Sequence, residues 1–148
     1  MKIYNDSGKF ISMKFEGSIH KSGKFWVVEI PPLDLTTQGR SKAEAYMMAG
    51  SVVEDIVGQN GFEVRVQKRP DDRFWLESND TVKMIALMLV RQRTKHGLTL
   101  MEVAKRLGST SPNAYGAYEQ GRREPTLSQL EKLMKAVNPD GAILMQVA

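Results

Sequence analysis

The most constraining feature of this chain is the run LTLMEVAKRLGSTSPNAYGAYEQGRREP at residues 98–125. Thr99 can cap a short helix, and Gly108 can end it because glycine readily adopts the left-handed conformation of a tight turn. Ser111 can cap a following helix, and Pro112 suits its first position, where no backbone N–H donor is required. The pattern therefore predicts two short helices joined by a tight turn.

The same run resembles the Cro/Xre-type repressor family, whose pattern is roughly G-L-T-x-x-E-[LV]-A-x-x-L-G, followed by a capped recognition helix that ends in Y/W-E-x-G-R-x-x-P. The matching residues are Gly97, Leu98, Thr99, Glu102, Val103, Ala104, Leu107, Gly108, Tyr118, Glu119, Gly121, Arg122 and Pro125. The resemblance implies a helix-turn-helix whose second helix enters the major groove of DNA. Two departures exist: Leu100 replaces a glutamine that often reaches a phosphate, and the turn before Ser111 is one residue longer.

The longer turn means that positions of the recognition helix, which we expect to run to about Gln120, are counted back from Glu119. Counted in this way, the groove-facing positions are Pro112, Asn113, Gly116 and Ala117. Only Asn113 among them can pair bidentately with a base, preferably adenine. We predict base-edge contacts from Ser111, Asn113, Gly116 and Ala117. We predict phosphate contacts from Thr99, Thr110, Arg122 and Arg123. A solvated basic loop is the alternative for the two arginines.

Composition and charge limit the other classes of function. The 148 residues include no cysteine, which excludes disulfides and thiolate metal sites and fits a reducing compartment. The first ten residues are polar and no apolar run approaches the length of a membrane span, so we expect a cytoplasmic protein without membrane contact. Residues 1–79 hold 11 Lys and Arg against 11 Asp and Glu, whereas residues 80–148 hold 10 against 6. The excess positive charge therefore accompanies the motif, as phosphate attraction requires.

The N-terminal half has the pattern of a small sheet. Apolar residues alternate from Met13 to Ile19, which predicts a strand with one buried face. The run from Lys24 to Ile30 is apolar on both faces at its start and should be a central strand, ended by two prolines. A short strand near residues 36–38, a helix opened by a Ser41–Glu44 capping box and a strand at 62–67 follow. The buried helix stripe is predicted to be Ala43, Tyr46, Met47, Gly50, Val53 and Val57. The helix should cross over between parallel strands.

This order resembles the N-terminal domain of HicB-type antitoxins, a partial ribonuclease-H-like fold. The likeness lies in the runs WVVEIP at 26–31, Leu33, TQG at 37–39, and the helix start at Ser41 with AEA at 43–45. Arg40-Ser41 departs from the acidic-Thr pair often seen there. The resemblance predicts an α+β domain at 1–78 with strand order β-β-β-α-β and one packed helix. An all-α five-helix Xre-type domain with a short C-terminal strand should follow at 79–148.

The HicB resemblance also implies the function. Such proteins bind and mask a small basic HicA-like toxin that cleaves RNA, and they repress their own operon. A neutral domain with surface carboxylates could meet a cationic partner. The candidate toxin-binding residues are Glu16, Glu29, Asp34, Asp71 and Asp72. The alternative is a repressor whose N-terminal domain senses a small ligand.

The helix expected from about Thr81 to Lys95, capped by Asn79 or Asp80, carries apolar residues on every side and must be covered all round. A second subunit is the simplest cover, and the N-terminal domain is the alternative. The tail from Ala142 to Val147 predicts a lone strand, which invites pairing with another chain. We therefore expect a homodimer, with a higher oligomer as the alternative when the toxin is bound. Its contacts are assigned to Met84, Leu87, Met88, Ile143, Leu144 and Met145.

Catalytic chemistry has little support in the sequence. A ribonuclease-H-like domain could gather carboxylates around magnesium, and Glu16, Glu29, Glu54, Asp55, Asp71 and Asp72 are available. We expect Glu16 and Glu29 on outward strand faces and Asp71-Asp72 in a loop after Pro70. His20 and His96 lack a second ligand at metal spacing. We predict no enzyme activity, metal or cofactor. A tethered nuclease, the third alternative, would depend on Glu29 or Asp55.

Basic and aromatic residues at 68–75 could form a single-strand nucleic-acid patch. We instead expect Phe74, Trp75 and Leu76 to continue a strand or to pack between the domains.

Overall fold

We describe residues 13–146 of a computed structural model. The first ten residues, whose polar character was used above, and Val147, the last residue of the expected terminal strand, lie outside this range. The chain divides into two compact units, with the division between Met84 and Ile85 inside a helix. The strands are β1 Phe15–Ser22, β2 Phe25–Ile30, β3 Leu35–Gly39, β4 Val64–Arg69 and β5 Arg73–Ser78. The helices are α1 Lys42–Val57, α2 Thr81–Lys95, α3 Leu100–Arg106, α4 Pro112–Glu119 and α5 Leu127–Val137, and a 3₁₀ turn spans Pro31–Leu33.

The first unit is a five-stranded antiparallel sheet in the order β3-β2-β1-β5-β4. The structure has the expected order of three strands, a helix and a strand, and it adds β5, which pairs with both β4 and β1. Because every neighbouring pair is antiparallel, β3 and β4 run in the same direction, as the predicted crossover between parallel strands requires. The two strands nevertheless lie on opposite edges of the sheet, so α1 spans its width.

The core between the sheet and α1 depends on one close approach. Phe74 is fully buried, and its ring meets Tyr46 of α1 edge-on at 5.9 Å between centroids. Gly17 is its register partner on β1, where a Cβ atom would overlap the Phe74 ring. The glycine therefore provides the space that the ring occupies. The expectation that residues 74–76 continue a strand is confirmed, with Trp75 half-buried.

Helix α1 begins as predicted but presents a different face. Ser41 accepts a hydrogen bond from the Glu44 N–H at 3.1 Å, while the Glu44 carboxylate accepts from the Arg40 N–H, one residue earlier than expected. The helix buries Ala45, Tyr46, Ala49, Gly50 and Val53. Ala43 and Met47 are exposed, so their assignment to the buried stripe was wrong. Helix α1 approaches β3 closely at one point, because a Cβ atom on Gly39 would overlap the backbone at Ala45.

The helix α2 begins after Asp80, whose carboxylate accepts from the Lys83 N–H at 3.1 Å. Asn79, the other predicted cap, instead accepts from the Glu63 N–H and donates to the Gly61 carbonyl. Asp80 is therefore the cap.

Residues 79–146 contain four helices rather than the predicted five, and residues 142–146 are neither helix nor strand. The turn at Asn138–Gly141 stops α5, because Pro139 cannot donate to a helix. A terminal strand needs a partner strand, and none of the described strands pairs with this segment. No helix of the described residues is both long enough and apolar enough to cross a membrane.

Candidate nucleic-acid interface

The end of α2 is tied to α4 by a partly buried ion pair. The Arg93 guanidinium donates to both oxygens of the Glu119 carboxylate, at 2.6 and 3.1 Å, and to the Leu98 carbonyl at 2.9 Å. The buried Tyr115 hydroxyl donates to the same carboxylate at 2.6 Å. The Glu119 hydrogen bond raises the pKa of Arg93, and burial raises the pKa of Tyr115. Both groups therefore stay protonated donors, and α4 is fixed at its C-terminal end.

Helix α3 has the predicted cap and one further feature. The Thr99 hydroxyl accepts from the Glu102 N–H at 3.1 Å, and the Glu102 carboxylate accepts from the Thr99 N–H at 2.7 Å. These bonds from Thr99 lower the pKa of Glu102. Sequence reasoning missed this capping box, although the T-x-x-E spacing was its signal. A second box joins Thr126 and Gln129 at the start of α5.

The turn between α3 and α4 accommodates its extra residue through local hydrogen bonds. Gly108 has φ +77°, as the predicted left-handed helix end requires. The Ser109 hydroxyl donates to the Ser111 carbonyl at 3.1 Å and accepts from the Ser111 N–H at 3.2 Å. Ser111 caps α4 by accepting from the Asn113 N–H at 3.3 Å, and Pro112 follows at the first position. The helix start is therefore fixed as well as its end.

The four residues predicted to contact base edges differ in exposure. Ser111 and Asn113 are exposed, whereas Ala117 is half-buried. The Gly116 backbone is buried, yet a Cβ atom built there would meet no atom within 4 Å. Pro112, Asn113, Gly116 and Ala117 fall on one side of the helix by its 3.6-residue repeat, and the buried Tyr115 and Tyr118 fall on the other.

The residues predicted to contact phosphates lie at the ends of the two helices. Thr99 and Thr110 are exposed, and the Thr99 hydroxyl already serves as a cap. Arg122 and Arg123 are exposed beyond α4. The Arg122 Nε donates to the Gln120 side chain at 2.7 Å, and the Arg123 guanidinium lies 5.3 Å from the centre of the Tyr118 ring. Both cations are therefore held close to α4.

The predicted dimer contacts fall into two groups. Met84, Leu87 and Met88 of α2 are buried, at 1%, 8% and 8% exposure, so no second copy is needed to cover them. Ile143, Leu144 and Met145 are exposed, at 43%, 91% and 74%. Only the terminal group presents apolar surface to solvent.

The five candidate toxin-binding carboxylates lie in different settings. Glu16 on β1 forms ion pairs with Arg69, at 3.3 Å, and with Arg73. Asp72 accepts from Lys42 at 2.7 Å, a bond that raises the pKa of Lys42. Asp34, Asp71 and Asp72 occupy left-handed turn positions, and Glu29 is exposed on β2.

The chemistry of the first unit offers little to a metal or to a stacked base. Within residues 13–146 no cluster of three His, Asp or Glu side chains has the spacing to hold a metal ion. The Trp75 ring already carries two cations, with the Arg69 guanidinium 4.1 Å and the Lys14 amine 5.3 Å from its centre. Phe74 is buried. The single-strand patch considered above therefore has no open aromatic face at Phe74 and a cation-covered one at Trp75.

One comparison with known proteins bears on this geometry. No curated protein matches the chain closely enough to count as a relative. Residues 89–138, from the second half of α2 to the end of α5, match the family model described as Helix-turn-helix. That family is a DNA-binding regulatory domain, so the match supports a DNA-binding transcription regulator and assigns the helix-turn-helix to this part of the chain.

Proposed function

We propose that this chain is an antitoxin of the HicB type, which neutralises a HicA-like RNA-cleaving toxin by direct binding and represses its own operon through a dimeric helix-turn-helix. The observation that carries the proposal is the combination of two units in one chain. A helix-turn-helix with α4 braced at both ends follows a charge-neutral sheet unit with the strand and helix order of the HicB resemblance. The first unit supplies the toxin-binding input, and the second supplies the DNA-binding output.

The DNA-binding step uses α4 in the major groove. Asn113 is the residue that reads a base, while Ser111 and the small residues Gly116 and Ala117 contact base edges. Thr99, Thr110, Arg122 and Arg123 contact phosphates and fix the register without reading sequence. Because one asparagine carries little sequence information, half-site spacing and DNA shape supply the remaining specificity.

The dimer forms through the exposed terminal segment. Residues 142–145 are apolar, residues 142–146 carry no charge, and this segment pairs with no strand of residues 13–146. The same segment of a second copy can hydrogen-bond to the backbone N–H and C=O groups of this segment and can cover its apolar side chains. Leu144→Asp should therefore produce monomers in sedimentation experiments and weaken operator binding, since each monomer would hold one half-site. Dimers of unchanged stability in this variant would exclude the terminal interface.

The toxin-binding step uses carboxylates of the first unit. Glu29 and Asp71 are exposed and can meet a cationic partner directly. Glu16 and Asp72 are already paired with Arg69, Arg73 and Lys42, so toxin cations would have to displace those partners. Asp34 completes the set at the end of the Pro31–Leu33 turn.

The experiment is co-expression with the product of the neighbouring reading frame, which the proposal predicts to be a short basic protein. The proposal predicts growth arrest by that protein alone, recovery when this chain is co-expressed, and co-purification of the two. Glu29→Lys with Asp71→Lys should abolish recovery, while Asp55→Lys, a charge reversal on α1, should not. Failure of the unaltered chain to restore growth would contradict the antitoxin role. Release from DNA by a metabolite, with no effect of the neighbouring protein, would favour the ligand-sensing repressor.

A further inference from the structure

The end of α4 fixes the backbone of Arg122. The Gly121 N–H donates to the Tyr118 carbonyl at 3.2 Å, and the Arg122 N–H donates to the Ala117 carbonyl at 3.0 Å. Gly121 has φ +67°, so these two bonds form the Schellman motif that commonly ends a helix. The motif therefore holds the Arg122 backbone at a set position relative to α4.

The side chain of Arg122 is held as well, and its partner is neutral. The Arg122 Nε–H donates to the Gln120 side-chain oxygen at 2.7 Å, and both residues are exposed. Within residues 13–146, no carboxylate forms an ion pair with Arg122, and its Nη1 and Nη2 groups donate to no other residue. A glutamine orients the guanidinium without neutralising its charge, whereas a glutamate in the same place would neutralise it.

We propose that Gln120 is a positioning residue that holds Arg122 ready for one DNA phosphate. With its Nε–H engaged, Arg122 presents its Nη1 and Nη2 groups, which together match two oxygens of a phosphate. Because the backbone and the side chain are both held before binding, less conformational entropy is lost when the phosphate is bound. Gln120 acts through Arg122 and makes no phosphate contact of its own. This inference rests on the proposed DNA-binding function.

The test is a double-mutant cycle in the full-length protein. Gln120→Ala, Gln120→Glu and Arg122→Ala are compared with the wild type and with the double variant Gln120→Ala/Arg122→Ala. Gln59→Ala, at an exposed position of the first unit, is the matched control. Mobility-shift titrations at several salt concentrations use the duplex upstream of the protein's own coding sequence and a scrambled duplex. Thermal unfolding verifies that each variant is folded.

The inference predicts that the effect of Gln120 depends on Arg122. Gln120→Ala should weaken binding to both duplexes roughly three- to tenfold. The double variant should bind no more weakly than Arg122→Ala, because Gln120 has no role once the arginine is absent. Gln120→Glu should lower the salt slope by about one, as Arg122→Ala does, because the glutamate neutralises the cation. Gln59→Ala should bind like the wild type.

Three results would overturn the inference alone: equal affinities of the wild type and Gln120→Ala, additive losses in the double variant, or a wild-type salt slope in Gln120→Glu. Absence of a shifted complex between the wild-type protein and either duplex would overturn the proposed DNA-binding function and this inference with it.

Discussion

Arg93 and Glu119 are joined by two hydrogen bonds that tie the end of α2 to the last residue of α4. The Glu119 carboxylate also accepts from the buried Tyr115 hydroxyl, so two side chains, one from α2 and one from α4, donate to one anion. The side chains of Arg93 and Glu119 are 19% and 8% exposed, so little solvent is present to weaken the ion pair. The position of the recognition helix α4 thus depends on a residue of α2, the helix that precedes both α3 and α4.

Removing the charge of Glu119 should destabilise the second unit. Glu119→Gln leaves the Arg93 guanidinium partly buried without its anion, and breaking such a pair costs about 3 kcal/mol. Urea unfolding measures this loss as a lower midpoint. Glu124→Gln is the matched control, because Glu124 is exposed beyond α4. Equal midpoints for the two variants would show that the pair contributes nothing to stability.

Adding one methyl group at Gly17 should destabilise the first unit. Gly17→Ala forces the Phe74 ring away from β1, and overpacking of this kind costs about 1–3 kcal/mol. The control is Gly23→Asn at the β1–β2 turn, where φ is +59° and no atom lies within 4 Å of a built Cβ. Asparagine tolerates that conformation, so the control should retain near wild-type stability. A Gly17→Ala protein as stable as the control would mean that the sheet and Phe74 are not packed as described.

The capping box of α3 should make part of the stability depend on pH. Hydrogen bonds from Thr99 lower the pKa of Glu102 below its ordinary value of 4.5. A lowered pKa contributes stability above the unfolded-state value, and this contribution is lost as the pH falls through the folded-state pKa. Glu102→Gln should therefore be less stable than wild type at neutral pH and lose that difference in acid.

The neutral capping box of α5 supplies the control for this pH effect. Gln129→Ala removes a box that carries no ionisable group, so its loss of stability should be the same in neutral and acidic urea titrations. A Glu102→Gln difference that persists unchanged below the folded-state pKa would contradict the assignment.

Asn113 and the two arginines should affect DNA binding in different ways. Asn113→Ala removes a base contact, so it should relax the preference for adenine at one position by about 1–3 kcal/mol. Arg122→Ala and Arg123→Ala should weaken binding to all sequences and reduce the salt slope by about one each. Competition titrations at several salt concentrations separate the two effects. A selective loss of one sequence in the arginine variants would contradict their assignment to phosphates.

The features predicted correctly from the sequence are those set by neighbouring residues. Thr99, Ser111 and Pro112 mark helix starts through their own hydrogen-bonding and φ preferences, and Gly108 marks an end, so the two short helices follow from local chemistry. The alternation in residues 13–19 and 62–67 likewise indicated strands. The DNA-binding unit could therefore be placed from the sequence.

The features that were missed depend on residues distant in sequence. The buried face of α1 depends on its packing against strands of the sheet, where Gly39 approaches Ala45 closely, and the Arg93–Glu119 pair joins residues 26 positions apart. The terminal strand was predicted from its apolar character, but a strand requires a ladder partner, and within residues 13–146 no strand pairs with the tail. Neither kind of information is contained in a local pattern.

The most direct measurement of the central claim is the binding of the full-length protein to the duplex upstream of its own coding sequence. The account predicts a shifted complex that survives an excess of scrambled duplex and weakens steeply with added salt. Asn113→Ala should reduce the preference for the upstream duplex, and the arginine variants should weaken binding to both duplexes. Equal binding to the upstream and scrambled duplexes at every salt concentration would contradict the assignment of α4 as a sequence-reading helix.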